Sequence, residues 1–311
     1  MIWILFQQMA QAQNVAKFLP HDAQVITAFT PFEILQKEHS SIVNQPFVND
    51  AILRLHEFFL SRIPLDSLKK LWIETPIKIG LDNTSPWYLC SQRMPDGITH
   101  YALIVPTFKT PDWLRFMREN MSLGTGNNVQ IYENKYFYNI INDMLITWNK
   151  EHLSIQKFVL PNAKDYKPTI GQQHTYIVEN LLPKLLQQGK NIPEILPQTA
   201  QKYKQLTLLL KYKSNYLNIG FDINEATQKV KAYCSQNHSN VFLKMYAKTP
   251  NKKIYFFGKG DMALFKIYPP LAQLKDKTIV IEVQDDKNFT LEMELSKNEV
   301  LSLINAFYNM Y

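Results

Sequence analysis

Near the carboxyl end, Phe289, Leu291, Met293 and Leu295 alternate with Thr290, Glu292 and Glu294. A period of two puts the apolar side chains on one face of a strand and the polar ones on the other, whereas a helix would scatter them around its circumference. The run is the clearest of many. Short β-branched or aromatic segments recur at 24–29, 77–82, 87–92, 100–105, 129–132, 144–148, 153–158, 206–211, 241–247, 254–257, 263–268 and 278–283. Turn chemistry separates several of them, as at Pro95-Asp96-Gly97 and Asp285-Asp286-Lys287-Asn288. A chain written this way must fold around sheet.

Helical periodicity interrupts the strands. Ile52, Leu55, His56 and Phe59 recur within 46–62, and Leu68, Leu71 and Trp72 follow Asp66, giving an α-hairpin. Thr110-Pro111 opens a helix that runs to about Met121. Residues 170–188 are helical in pattern, with Pro183 placed to kink or divide them. Ala226, Val230, Tyr233 and Cys234 predict a further helix over 222–237. Ser296 and Glu299 form a capping box for a last one carrying Val300, Leu303, Ile304 and Phe307. The expected class is α+β: two domains of mainly antiparallel sheet with helices packed on one face.

At 311 residues the length suits two such domains, and 46% apolar against 20% charged residues supplies a core and argues against disorder. The boundary falls at a Pro/Asn/Asp linker, residues 160–168. It separates an α+β domain with the helical hairpin, 14–163, from a lysine-rich α+β domain, 164–311, ending in the hairpin and capped helix. Phe18-Leu19-Pro20-His21-Asp22-Ala23-Gln24 parallels Ile195-Leu196-Pro197-Gln198-Thr199-Ala200-Gln201, and Ile79-Gly80-Leu81-Asp82 parallels Ile219-Gly220-Phe221-Asp222. These matches read either as a repeat lacking most of the hairpin in its second copy or as chance.

Residues 1–13 carry the apolar run Ile2 to Phe6 and then Ala10-Gln11-Ala12, the small-residue pattern that signal peptidase accommodates. With a short apolar run and no preceding Lys or Arg, this reads as a truncated signal peptide, or else as an ordinary first strand. Leu19-Pro20-x-Asp22-Ala23 before a strand, a helical pair, then Lys78 to Asp82 and the strand Tyr101 to Val105 together resemble a group of uncharacterised exported Bacteroidota proteins carrying domains of unknown function. The resemblance covers about the first 120 residues. It implies an envelope location (periplasm or cell envelope rather than cytoplasm) and no assigned chemistry. The lipoprotein cysteine common in that group has no counterpart here.

No chemical motif is complete. His56-Glu57 opens a zinc-peptidase pattern, but Leu60 stands where the second ligand belongs. Gly124-Thr125-Gly126 lacks the third glycine of a dinucleotide loop, because Val129 occupies it. No glycine-flanked serine elbow occurs, and Cys90 and Cys234 sit among apolar neighbours. No catalytic, cofactor-binding or metal residue is therefore nominated, and no cofactor is expected.

Charge is the anomaly. The net charge is +7, yet residues 202–277 hold 14 Lys, no Arg and only Asp222, Glu225, Asp261 and Asp276, about +10 against about −3 elsewhere. Lys211, Lys213, Lys244 and Lys248, with Tyr212 and Tyr246, are the candidate surface for an anionic ligand, set two or four apart on strands. The same spacing also describes a solvated sheet face. Missing Arg weighs against nucleic acid, since Arg forks phosphate better than Lys. No run reaches the roughly 18 apolar residues of a membrane-spanning helix. The leading expectation is a non-enzymatic cell-envelope binding or assembly module, with an anionic envelope component or another envelope protein as partner. A hydrolase whose catalytic cluster forms only in the fold is the alternative, and a nucleic-acid-binding protein comes third.

Overall fold

In the computed structural model, the alternating runs pair edge to edge. The structure describes residues 15–16, 18–20, 23–31, 33, 64, 66–67, 70–71, 75–93, 99–107, 130–133, 136–141, 144–149, 151–157, 169–183, 195–212, 214–224, 226–249, 253–256, 277–296 and 299–300. Thirteen strands among them form one antiparallel sheet: β1 (Val25–Phe29), β2 (Trp87–Arg93), β3 (Thr99–Pro106), β4 (Gln130–Tyr132), β5 (Tyr136–Ile141), β6 (Met144–Trp148), β7 (His152–Lys157), β8 (Leu206–Tyr212), β9 (Asn215–Asn224), β10 (Lys229–Gln236), β11 (Lys253–Phe256), β12 (Ile279–Val283) and β13 (Asn288–Glu294). Their spatial order is β11-β12-β13-β10-β9-β8-β1-β2-β3-β7-β6-β5-β4. A sheet-dominated, largely antiparallel protein is what the alternation predicts.

The order carries a repeated winding. In the first half β1, β2 and β3 run outward from the centre, and β7, β6 and β5 continue toward one rim. In the second half β8, β9 and β10 do the same, continued by β13, β12 and β11. β4 is the extra rim strand. The halves meet where β1 pairs with β8, from Val25↔Leu210 to Ala28↔Thr207. Leu19 and Leu196, equivalent in the first sequence match, are both fully buried in one cluster with Ala23 and Ala200. The second match does not follow this scheme: Ile79–Asp82 precedes β2, while Ile219–Asp222 lies inside β9.

Among the described residues the α-helices are α1 (Ile170–Tyr176), α2 (Ile195–Lys202) and α3 (Val241–Ala247). α1 runs into a π-helical turn, Ile177–Leu181, where the Leu182 N–H reaches the Ile177 carbonyl. The wider turn comes just before Pro183, whose ring an α-helical continuation would press against a preceding carbonyl. Leu196 and Ala200 of α2 belong to the buried cluster that holds Ile26, Ala28 and Leu209, whereas Leu243 of α3 belongs to the one that holds Val25, Leu208 and Ile281. Neighbours along β1 and β8 face opposite ways, so helices cover both faces. This corrects the expectation of one covered face, and its cause is that the central strands are apolar on both sides: all five residues of β1 are buried.

Two elements exchange identity relative to the sequence reading. Residues 229–236 form a strand, not a helix, because Val230, Ala232 and Cys234 are buried at a period of two and β9 and β13 supply partners on both sides. Residues 241–247 form a helix, not a strand. The Asn240 side chain accepts the Leu243 N–H at 3.3 Å, and its carbonyl accepts the Lys244 N–H at 2.9 Å, so a cap overrides the β-forming composition. Residues 76–79 likewise make a 3-10 turn, and only Leu81 bridges to Thr107. There Gly80 takes φ 80° and the Asp82 carboxylate collects the Thr84 and Ser85 N–H groups. Most of the helical hairpin, the 110–121 helix, the linker at 160–168, the 263–268 strand and the terminal helix beyond Val300 lie outside the described residues.

Candidate functional site

The nominated lysine–tyrosine residues do not converge. Lys211 lies near the end of β8, its N–H bonded to the Gln24 carbonyl at 2.7 Å, and is half-buried. Tyr212 ends that strand, with only its backbone described, and Lys213 lies outside the described residues. Lys244 and Tyr246 belong to α3, and Lys248 follows it; Tyr246 packs against the core while both lysines are exposed. The expected strand spacing of Lys244 and Lys248 is therefore a helical i, i+4 spacing.

A different lysine–tyrosine cluster forms at the second half of the sheet. Tyr203 follows α2 directly, its N–H held by the Thr199 carbonyl at 2.7 Å. Its ring lies on Gly220 of β9, so close that a Cβ there would fall 2.0 Å from Tyr203 Cδ2. Gly220 pairs with Tyr233 of β10, and the two tyrosine rings stack at 4.8 Å and 22°. A glycine in mid-strand thus makes the bed for an aromatic side chain. Lys202 Nζ stands 5.3 Å from the Tyr203 ring centroid and Lys231 Nζ 5.4 Å from that of Tyr233, both within cation–π range.

These rings line an open groove of about 460 Å³, with Lys202, Lys204, Gln205, Asp222, Phe221 and Glu33 around them. Lys204 Nζ is 3.9 Å from a Glu33 carboxylate oxygen, and the Lys204 carbonyl accepts the Thr30 N–H at 2.8 Å. Gln205 is fixed by the Ile223 N–H at 3.2 Å. Lys231 faces Asp222 across one ladder and Glu292 across the other. The groove therefore offers half-buried aromatic rings, ammonium groups and hydrogen-bonding side chains. Among the described residues that line it there is no Cys, Ser or Thr. Cys234 is on the opposite face of β10, and burial pushes its thiol well above the ordinary range. Cys90 is buried too, its Sγ 3.3 Å from the Ala102 carbonyl.

His152 is buried, stacked 3.5 Å from the Phe18 ring, with Nδ1 2.9 Å from Asn149 Oδ1; this is a packed histidine tying the segment before β1 to β7. Among the described residues no group of three His, Cys, Asp or Glu could hold a metal ion. Sequence reasoning missed the groove because Tyr233 was assigned to a helix face. The period-two run Lys229-Lys231-Tyr233 against Val230-Ala232-Cys234 was the signal that could have found it.

No protein-family model and no curated protein sequence matches the chain. Two crystal forms of a protein designated TP0453 are similar to it: form IV at TM-score 0.39 over 91% of this chain and 92% of that one, and form III at 0.40 over 94% and 97%, each at 9% identity. Likeness at that level carries no functional inference.

Proposed function

We propose that the chain is a non-enzymatic binding module of the cell envelope, and that its ligand is an anionic glycan held in the Tyr203–Tyr233 groove. The observation that carries the reading is the stacked tyrosine pair with Lys202 and Lys231 set over its rings. Aromatic rings offer apolar faces to the C–H faces of sugar rings. Lys202 and Lys204 match carboxylate or sulfate groups, and Asp222 and Gln205 suit hydroxyls. The envelope location rests on Ala10-Gln11-Ala12 and on the resemblance of the first 120 residues. Two α+β units, 14–163 and 164–311, are supported by the repeated strand winding on either side of the β1–β8 seam.

The test is affinity chromatography on heparin beside neutral dextran. Wild-type protein should be retained on heparin at low salt and released by about 0.5 M salt, where exposed charges are screened. Lys202→Glu/Lys204→Glu and Tyr233→Ala should each weaken retention, while Lys244→Glu/Lys248→Glu should leave the Tyr233→Ala deficit in place. Absence of retention at low salt, or groove variants that behave as wild type, would overturn the assignment.

A further inference from the structure

Helix α3 is inverted relative to an ordinary surface helix. It turns Leu243 to the core, and on a wheel of about 100° per residue the side opposite Leu243 carries Val241 and Met245, one turn apart. Those two are 74% and 66% exposed, the most exposed large apolar residues among those described. A surface helix normally presents polar groups at its crest. Here Lys244 and Lys248 flank the apolar pair on the adjoining side, both exposed. No Asp or Glu occurs from Asn237 to Gly260, and Lys244 and Lys248 have no carboxylate partner among the described residues. Near this helix the Asp286 carboxylate accepts from Ser239 Oγ at 2.6 Å, ahead of the first turn.

We propose that the α3 crest docks onto an anionic lipid bilayer, Val241 and Met245 entering the headgroup–acyl boundary and Lys244 and Lys248 reaching lipid phosphates. An exposed apolar ridge with cations alongside is the chemistry of an interfacial helix, and lysine stems allow the ammonium to stay at the headgroups while the carbons follow the ridge. The ridge is under two turns long, far short of the roughly 800 Å² per partner that a stable protein interface needs. A polyanion such as nucleic acid would make use of the lysines and leave the apolar crest in water. The site lies outside the Tyr203–Tyr233 groove and stands independently of the glycan reading.

The experiment is vesicle flotation of the full chain, with vesicles of phosphatidylcholine alone or with about 30% phosphatidylglycerol. Wild-type protein should float with the anionic vesicles and not with the neutral ones. Val241→Ser/Met245→Ser and Lys244→Glu/Lys248→Glu should each cut partitioning by about tenfold or more, given about fivefold for each lysine lost near an anionic surface. Because all four side chains are exposed, circular dichroism and the thermal midpoint should stay at wild-type values. An environment-sensitive fluorophore on Met245→Cys should shift to the blue on anionic vesicles. Equal flotation by the Val241→Ser/Met245→Ser variant would overturn the lipid assignment in favour of bare electrostatics. So would full competition by soluble heparin with no fluorophore shift, and so would failure of the wild type to float.

Discussion

The Tyr203–Gly220 contact gives a sharp test of the groove's architecture. Gly220→Ala places a Cβ 2.0 Å from Tyr203 Cδ2 and 2.6 Å from Cγ and Cε2. The clash involves the root of the ring, so a small rotation at its far end cannot relieve it. Overpacking of this kind costs about 1–3 kcal/mol, and displacing Tyr203 also breaks its stack on Tyr233, worth about 0.5–1.5 kcal/mol. Against this, alanine in an extended strand restricts the unfolded chain and recovers about 0.4–1 kcal/mol. The net expectation is a loss of about 1–3 kcal/mol, read from the urea midpoint at unchanged slope. Tyr203→Ala alone loses the stack and the burial of one ring. In the double variant no ring remains to clash, so its loss should fall short of the sum of the single losses by about 1–3 kcal/mol. Strict additivity would refute the contact, as would a Gly220→Ala protein as stable as wild type.

Two further outcomes follow from named contacts. Ser296 and Glu299 cap each other, the Ser296 N–H donating to Glu299 Oε2 at 2.7 Å and the Glu299 N–H to Ser296 Oγ at 3.3 Å, so Ser296→Ala should cost about 0.5–2 kcal/mol in a denaturation midpoint. The Ser296 backbone N–H, and then Lys277 at 2.9 Å, hold the Glu299 carboxyl below the usual range, so its contribution is present at neutral pH and lost as pH falls through the lowered value; the stability gap between wild type and Glu299→Gln should close as pH falls from above the ordinary glutamate value through the lowered one, and a constant gap would remove the carboxylate's role. If 160–168 links two units, trypsin should cut at Lys164 or Lys167, and the β1–β8 ladder should keep the nicked pieces together on gel filtration until denaturant is added; cutting elsewhere first, or separation without denaturant, would count against that division.

The legible part of the fold was the part written in one period only. In β13 and just after it, Met293 and Leu295 lie in the core with Phe289 and Leu291 against it, as alternation requires, although Thr290 on the other face is buried as well. β10 and α3 were illegible for opposite reasons. Val230 and Cys234 satisfy a helical spacing and a strand spacing at once, Tyr233 fits the helical one alone, and the neighbours that decide for the strand, β9 and β13, are distant in sequence. In 241–247 the β-forming side chains mask, in the sequence, a cap that only Asn240 marks. β9 was hidden by Asn215, Asn218, Gly220, Asp222 and Asn224, residues that punctuate loops, yet Gly220 is the position the Tyr203 ring demands. α2 was hidden by Pro197, which a first helical turn tolerates. The groove inherits these ambiguities, since its walls come from α2, β9 and β10.

The fold also sorts the lysine excess that sequence could only count. Lys229 faces Glu294, Lys231 faces Asp222 and Glu292, and Lys253 faces Glu282, all directly across strand ladders. Lys204 and Lys277 meet Glu33 and Glu299 at 3.9 and 2.9 Å. Glu33, Glu282, Glu292, Glu294 and Glu299 all lie outside the 202–277 segment, so these five carboxylates from elsewhere in the chain face about half of the local excess of about +10. Opposite charges facing across a ladder stabilise the sheet modestly and cancel its field at a distance. On this argument Lys229 and Lys253 are structural, and long-range attraction for an anion concentrates on cations with no such partner among the described residues: Lys202 at the mouth of the groove, and Lys244 and Lys248 on α3. Reversing Lys229 and Lys253 should therefore disturb stability more than anion binding, and reversing Lys244 and Lys248 should do the opposite.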